Sequence, residues 1–139
     1  MGILFNDSKE IDKKVEEIFG DTFNYLLAIK HNDVKKGLAK LLVSNLFYTL
    51  DSNRTFILFF DEKGVHEKEI SNSTKENFLV MPWNEIESFD IKEKSNKALI
   101  ELNHLGKKMA YEIPFTGKIF TKNEENIENL KSKNWNKII

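Results

Sequence analysis

The sequence predicts an α+β fold, in which a curled antiparallel sheet or partial β-barrel of six or seven strands lies between an N-terminal helix and a C-terminal capping helix. Three observations lead to this prediction. After residue 45, short aromatic or branched runs are separated by turn residues at close spacing. Amphipathic helical patterns stand near both ends of the chain. A chain of 139 residues is also large enough for one hydrophobic core.

The first predicted element is a helix that Ser8 caps and Gly20 ends. Its apolar side chains recur at helical spacing and so share one face: Ile11, Val15, Ile18 and Phe19. We therefore divide the chain into an N-terminal helical segment, 1–20, and a single domain, 21–139.

Two alternatives are open for each of the next two segments. Apolar residues alternate over 23–30, which favours a strand over a helix. Asp33 is placed to cap a helix over 33–45, and the competing interpretation makes 38–44 a strand that follows a lysine-bearing loop. The sequence does not decide whether 33–45 is helix or strand.

The remaining chain is predicted to be mostly strand. The expected strands are 46–50, 55–60, 65–70, 78–81, 86–91, 98–103 and 109–113. Pro82 and Pro114 end two of them, because proline lacks the N–H that a central ladder needs. A last helix is predicted to open with a capping box of Thr121 and Glu124. Its apolar stripe is expected to plug an open end of the sheet: Ile127, Leu130, Trp135 and Ile138.

Composition excludes several functional classes. The net charge is −1 and only Arg54 is an arginine among 21 basic residues, so the sequence disfavours nucleic-acid binding. Without cysteine the chain has no disulfide, thiolate nucleophile or cysteine-ligated zinc. No apolar run approaches the roughly 20 residues of a membrane span, and the N-terminal apolar run is too short for a signal peptide. We expect a cytoplasmic protein.

The sequence also lacks recognisable catalytic and metal-binding motifs. The three histidines, His31, His66 and His104, have no helical pairing and are expected to be exposed. Glu67 beside His66 suggests a metal half-site, but neighbouring strand residues point to opposite faces, so an exposed strand is the better interpretation. The sequence therefore predicts no catalytic residue, no cofactor site and no metal site.

Two runs carry a family resemblance. The run FILFFDEKGV over 56–65 resembles the hydrophobic strand and charged glycine turn of bacterial PH-like (pleckstrin-homology-like) domains. The run FLVMPWNEIESF over 78–89 resembles the passage of that family where one strand ends and the next begins. With Pro114 and the terminal helix, the resemblance covers about 46–136. It implies a seven-stranded partial barrel that a C-terminal helix caps.

The resemblance also implies binding, since members of the family bind lipid headgroups, peptides or one another. Our first hypothesis is a non-enzymatic module for protein binding or self-assembly through an exposed edge strand or the N-terminal segment. Trp83, next to Pro82, is a candidate anchor, and core packing is its alternative role.

The second hypothesis is attachment to anionic membrane or lipid headgroups through a lysine patch: Lys30, Lys35, Lys36 and Lys40. Lipid-binding members carry basic residues in the loop between their first two strands. This chain departs from them, because the corresponding stretch, which includes Lys30, Lys35 and Lys36, has no arginine and Asp33 interrupts it.

Overall fold

The structure is a computed structural model that describes residues 8–32, 55–70, 78–117 and 119–137. A seven-stranded antiparallel sheet and two helices form an α+β fold, as predicted. The helices are α1 (Ser8–Phe19) and α2 (Asn123–Ser132). The strands are β1 (Tyr25–Asn32), β2 (Thr55–Asp61), β3 (Gly64–Glu69), β4 (Leu79–Pro82), β5 (Ile86–Glu93), β6 (Lys97–His104) and β7 (Lys107–Pro114).

Most predicted elements that fall on these residues are confirmed. Segment 23–30 is a strand, and the helix after Ser8 and the strands from 55 onward lie within a few residues of their predicted bounds. The segment 33–45 and the predicted strand 46–50 lie outside the described residues, as do Ile138 and the loop after Ile70.

The strand order shows that the sheet is curled. The order β4-β3-β2-β1-β7-β6-β5 puts β4 and β5 at opposite edges, about 29 Å apart in a flat sheet. Only a 3₁₀ turn, Trp83–Glu85, links Pro82 to Ile86, and four residue steps span at most about 14 Å. The sheet therefore bends until its edges approach at this corner, although the described β4 and β5 do not pair.

The concave side of the sheet holds the larger hydrophobic core, and α2 buries Ile127 and Leu130 in it. Asn123 fixes the helix there, because its amide donates to the carbonyls of Leu27 and Pro114 at 2.8 Å and accepts from the Leu27 N–H at 2.9 Å. Trp135 is buried between Phe60 and Phe89, with ring centroids 5.1 and 5.3 Å away. The predicted burial of Trp135 is thus confirmed.

The convex side of β1, β2 and β3 is covered by α1. Ile11 and Val15 are fully buried in a second core cluster, as their spacing predicted. Phe19 stacks on Phe59 with ring centroids 3.8 Å apart. Ile18 departs from the predicted apolar face and is 47% exposed.

Two features of the C-terminal helix differ from the prediction. α2 begins at Asn123, so Lys122 and not Thr121 stands immediately before its first residue, and the side chain of Asn123 binds the sheet. Trp135 does not extend the helical stripe, because α2 ends at Ser132. Residues 134–136 have left-handed φ angles of 52°, 59° and 61°, and this turn directs the indole into the core.

Candidate binding site

Lys30, predicted as a membrane contact, lies on β1 with its ammonium inside the curled sheet. Its Nζ is 2.8 Å from Oε2 of Glu67 and 5.0 Å from the centre of the Phe56 ring, and the side chain is 13% exposed. A buried carboxylate neutralises this charge, so little of it remains to attract an anionic surface. Lys35, Lys36 and Lys40 lie outside the described residues.

Glu67, expected on an exposed strand, is buried, and that prediction is wrong. It accepts hydrogen bonds from Lys30 and from the hydroxyl of Tyr111. Burial raises the pKa of Tyr111 well above its ordinary value, and the nearby charge of Glu67 is the second cause. Neighbouring side chains of β3 do point to opposite faces, as expected, but the core covers one face and α1 the other.

The expectation of exposed histidines is wrong for His66, which is buried beside α1. Its ring meets Phe19 at a centroid distance of 5.1 Å, and Nε2 is 2.8 Å from Oδ1 of Asp61. His104 is partly buried, with Nε2 2.9 Å from Oε1 of Glu85. Within the described ranges, no group of three or more His, Cys, Asp or Glu residues is placed to hold a metal ion.

Trp83 is half-buried at the corner between β4 and β5, where it has a structural role. Its Nε1–H donates to the carbonyl oxygen of Asp61 at 2.8 Å. Its ring meets Phe89 edge-to-face, with centroids 5.5 Å apart at 88°. We call this pair, Trp83 and Phe89, the aromatic corner. The ammonium of Lys137 lies over it, 5.4 Å from the Trp83 centroid and 4.5 Å from that of Phe89.

The β4 edge leads up to this corner and exposes apolar side chains. Leu79 is 60% exposed and Val80 40% exposed. The strand has the sequence LVMP and therefore no charged residue. Among the described strands β4 pairs with β3 alone, and a partner could pair with its other side, since an uncharged edge strand is a ready template for pairing.

The β5 edge has the opposite character. Its exposed side chains are mostly charged, among them Glu87, Asp90 and Lys92. The pairing register also shifts between Ile86 and Ser88, as at a β-bulge. Charges and bulges are the features that discourage edge-to-edge association. Of the two edges, β4 is therefore the candidate binding site.

Sequence reasoning identified Trp83 but missed the site around it. The run LVMP already lacks charge, but only the pairing order places it at an edge. Phe89 and Lys137 are far apart in the sequence, and no local pattern joins them.

Comparison with known proteins adds no relative from which a role could be transferred. No family model, curated protein or solved structure gives a significant match to this chain. Neither described helix combines the length and the apolar character needed to cross a membrane.

Proposed function

We propose that this chain is a non-enzymatic binding module of PH-like architecture, whose β4 edge accepts an extended segment of another polypeptide. The architecture is supported by seven antiparallel strands, by the curl that brings β4 near β5, and by the packing of α2 into the larger core. These are the features that the resemblance implies. The binding role is supported by the contrast between the two sheet edges.

One observation carries the binding role: Leu79 and Val80 are exposed on an uncharged edge strand. Leu79 lies opposite Glu67 and Val80 opposite His66 in the pairing with β3, so the two side chains point to opposite faces. An added strand would cover both and would bond to the backbone of β4 on the side away from β3. Burying the exposed part of each side chain contributes about 1 kcal/mol.

The partner is an extended segment with adjacent apolar residues, one for each face of the sheet. The β4 strand of a second copy has this composition, and two such strands can pair antiparallel about a two-fold axis. Self-assembly is therefore one form of the same proposal. Membrane attachment gains no support from Lys30, because Glu67 neutralises its charge.

A library of short capped peptides, varied at two adjacent central positions, tests the proposal by fluorescence anisotropy. We expect peptides with two apolar central residues to bind the native chain and to lose binding to Leu79→Lys and to Val80→Lys. Ser88→Lys on the β5 edge is the matched control and should bind as the native chain does. Equal binding to all three variants, or no binding by any peptide, would contradict the proposal.

Sedimentation velocity over a range of concentrations tests the self-assembled form. We expect association that Val80→Lys abolishes and Ser88→Lys leaves intact. A native chain that stays monomeric while it binds peptides would restrict the site to foreign partners.

A further inference from the structure

The aromatic corner holds a cation by its ring faces. The rings of Trp83 and Phe89 stand at 88° to each other, and the Nζ of Lys137 lies within 6 Å of both centroids, at 5.4 and 4.5 Å. The face of an aromatic ring carries the negative part of its quadrupole and attracts a cation at such distances. Asp90, the residue after Phe89, adds an attractive charge near the ammonium.

The ammonium of Lys137 is bound differently from that of Lys131, six residues earlier in the sequence. Lys131 has its Nζ 2.7 Å from Oε2 of Glu93, in an ion pair on the surface. For Lys137, the described residues place no carboxylate within the 4.0 Å of a salt bridge. Burial lowers its pKa, since the ammonium gives up hydration at the rings.

We propose that the aromatic corner is an alkylammonium-binding site, which Lys137 fills in the free chain and which a lysine or methylated lysine of a partner enters when Lys137 leaves. A methylated ammonium keeps the positive charge but is more weakly hydrated than a primary one. It therefore loses less hydration free energy on entering the corner, and paired aromatic faces favour such groups. Among the described residues the Lys137 ammonium interacts with the two rings and the charge of Asp90, and a competing ammonium would take over these interactions.

The corner and the β4 edge adjoin, because Trp83 directly follows Pro82, the last residue of β4. A segment paired with β4 could place a lysine at the corner. The two proposals are nevertheless independent: small ammonium ions test the corner without a strand, and peptides without lysine test the edge.

Titration with tetramethylammonium chloride tests the corner in the full chain and in Lys137→Ala. The readout is the indole N–H resonance of Trp83, assigned by its loss in Trp83→Phe, with the Trp135 indole as an internal control. We expect a saturable shift of the Trp83 signal in Lys137→Ala. The native chain should bind roughly ten-fold more weakly, because Lys137 competes at a high effective concentration.

Three controls separate a cation site from an apolar surface and from an effect of ionic strength. Neutral tert-butanol should bind Lys137→Ala at least about five-fold more weakly than tetramethylammonium does. The double variant Lys137→Ala with Phe89→Leu should bind tetramethylammonium about five-fold more weakly than Lys137→Ala does. Sodium chloride at equal ionic strength should give no saturable shift. Equal binding of tert-butanol and tetramethylammonium, or no saturable shift in folded Lys137→Ala, would overturn the proposal.

Discussion

The two edges of the curled sheet meet at one corner but differ in chemistry. β5 exposes Glu87, Asp90 and Lys92 and carries a register shift. The charged side chains and the distorted backbone both oppose pairing with another strand. β4 is four residues long, has no charge and exposes Leu79 and Val80. Among the described strands, one edge is thus protected by charge and the other exposes apolar side chains, as the proposed binding role requires.

The edges are also attached to the sheet by different contacts. β4 depends on β3, where Gly64 lies against the β4 backbone and Glu67 forms buried polar bonds. β5 pairs with β6, and the half-exposed pair of Glu85 and His104 lies at the start of that ladder. Substitutions at matched positions should therefore cost more on the β4 side.

The largest effect is expected from Gly64→Ala. Gly64 has a φ of 147°, and a Cβ there would lie 2.7 Å from Cα of Pro82 and closer still to the carbonyl oxygen of Met81. Strain and collision together should lower the free energy of unfolding by at least about 3 kcal/mol. Gly106→Ala is the control, because its φ is 83° but its Cβ would meet nothing within 4 Å. It should cost about 1 kcal/mol in the same urea unfolding experiment.

Glu67→Gln should have the next largest effect. It keeps the shape of the side chain but leaves the ammonium of Lys30 without its buried partner. We expect the free energy of unfolding to fall by about 3 kcal/mol. Glu85→Gln removes a carboxylate of which 41% is exposed and should cost less than about 1 kcal/mol. Similar losses in chemical unfolding would show that the two edges are not attached differently.

Stability should fall as the pH rises above about 10, the ordinary tyrosine pKa. Burial raises the pKa values of Tyr25 and Tyr111 in the folded chain, so the unfolded chain loses these protons first. The stabilisation is complete below pH 10 and is lost as the pH approaches the folded-state values, at up to about 1.4 kcal/mol per pH unit for each tyrosine. Tyr111→Phe, measured by urea unfolding at several pH values, should reduce this slope. An unchanged slope would exclude Tyr111 as a source.

The smallest effect on stability is expected from Leu79→Lys. The side chain is already 60% exposed, so the free energy of unfolding should change by less than about 0.5 kcal/mol. Peptide binding should nevertheless be lost. A thermal unfolding curve that shifts strongly would show that Leu79 belongs to the core instead of the binding edge.

Local patterns were sufficient to predict most of the described elements. The spacing of Ile11 and Val15 predicted the buried face of α1, and the alternation over 23–30 predicted β1. Burial of Trp135 also followed from its apolar character. The left-handed backbone of Trp135 could not be predicted in this way, because it is needed to place the indole in the core beside Phe60.

The polar and edge features depended on contacts between distant strands. Lys30 and Glu67 meet inside the sheet because β1, β2 and β3 pair in a particular register. Neither residue alone indicates burial. The exposure of β4 likewise follows from its place at an edge, which the sequence run LVMP cannot specify.

A nitroxide on the tightest-binding library peptide tests most directly that β4 is the docking edge. Paramagnetic broadening should be strongest at the backbone amides of Leu79, Val80 and Met81 and weak along β5. Broadening centred on β5, or on the exposed side chains of Ile18 and Phe23, would contradict the account.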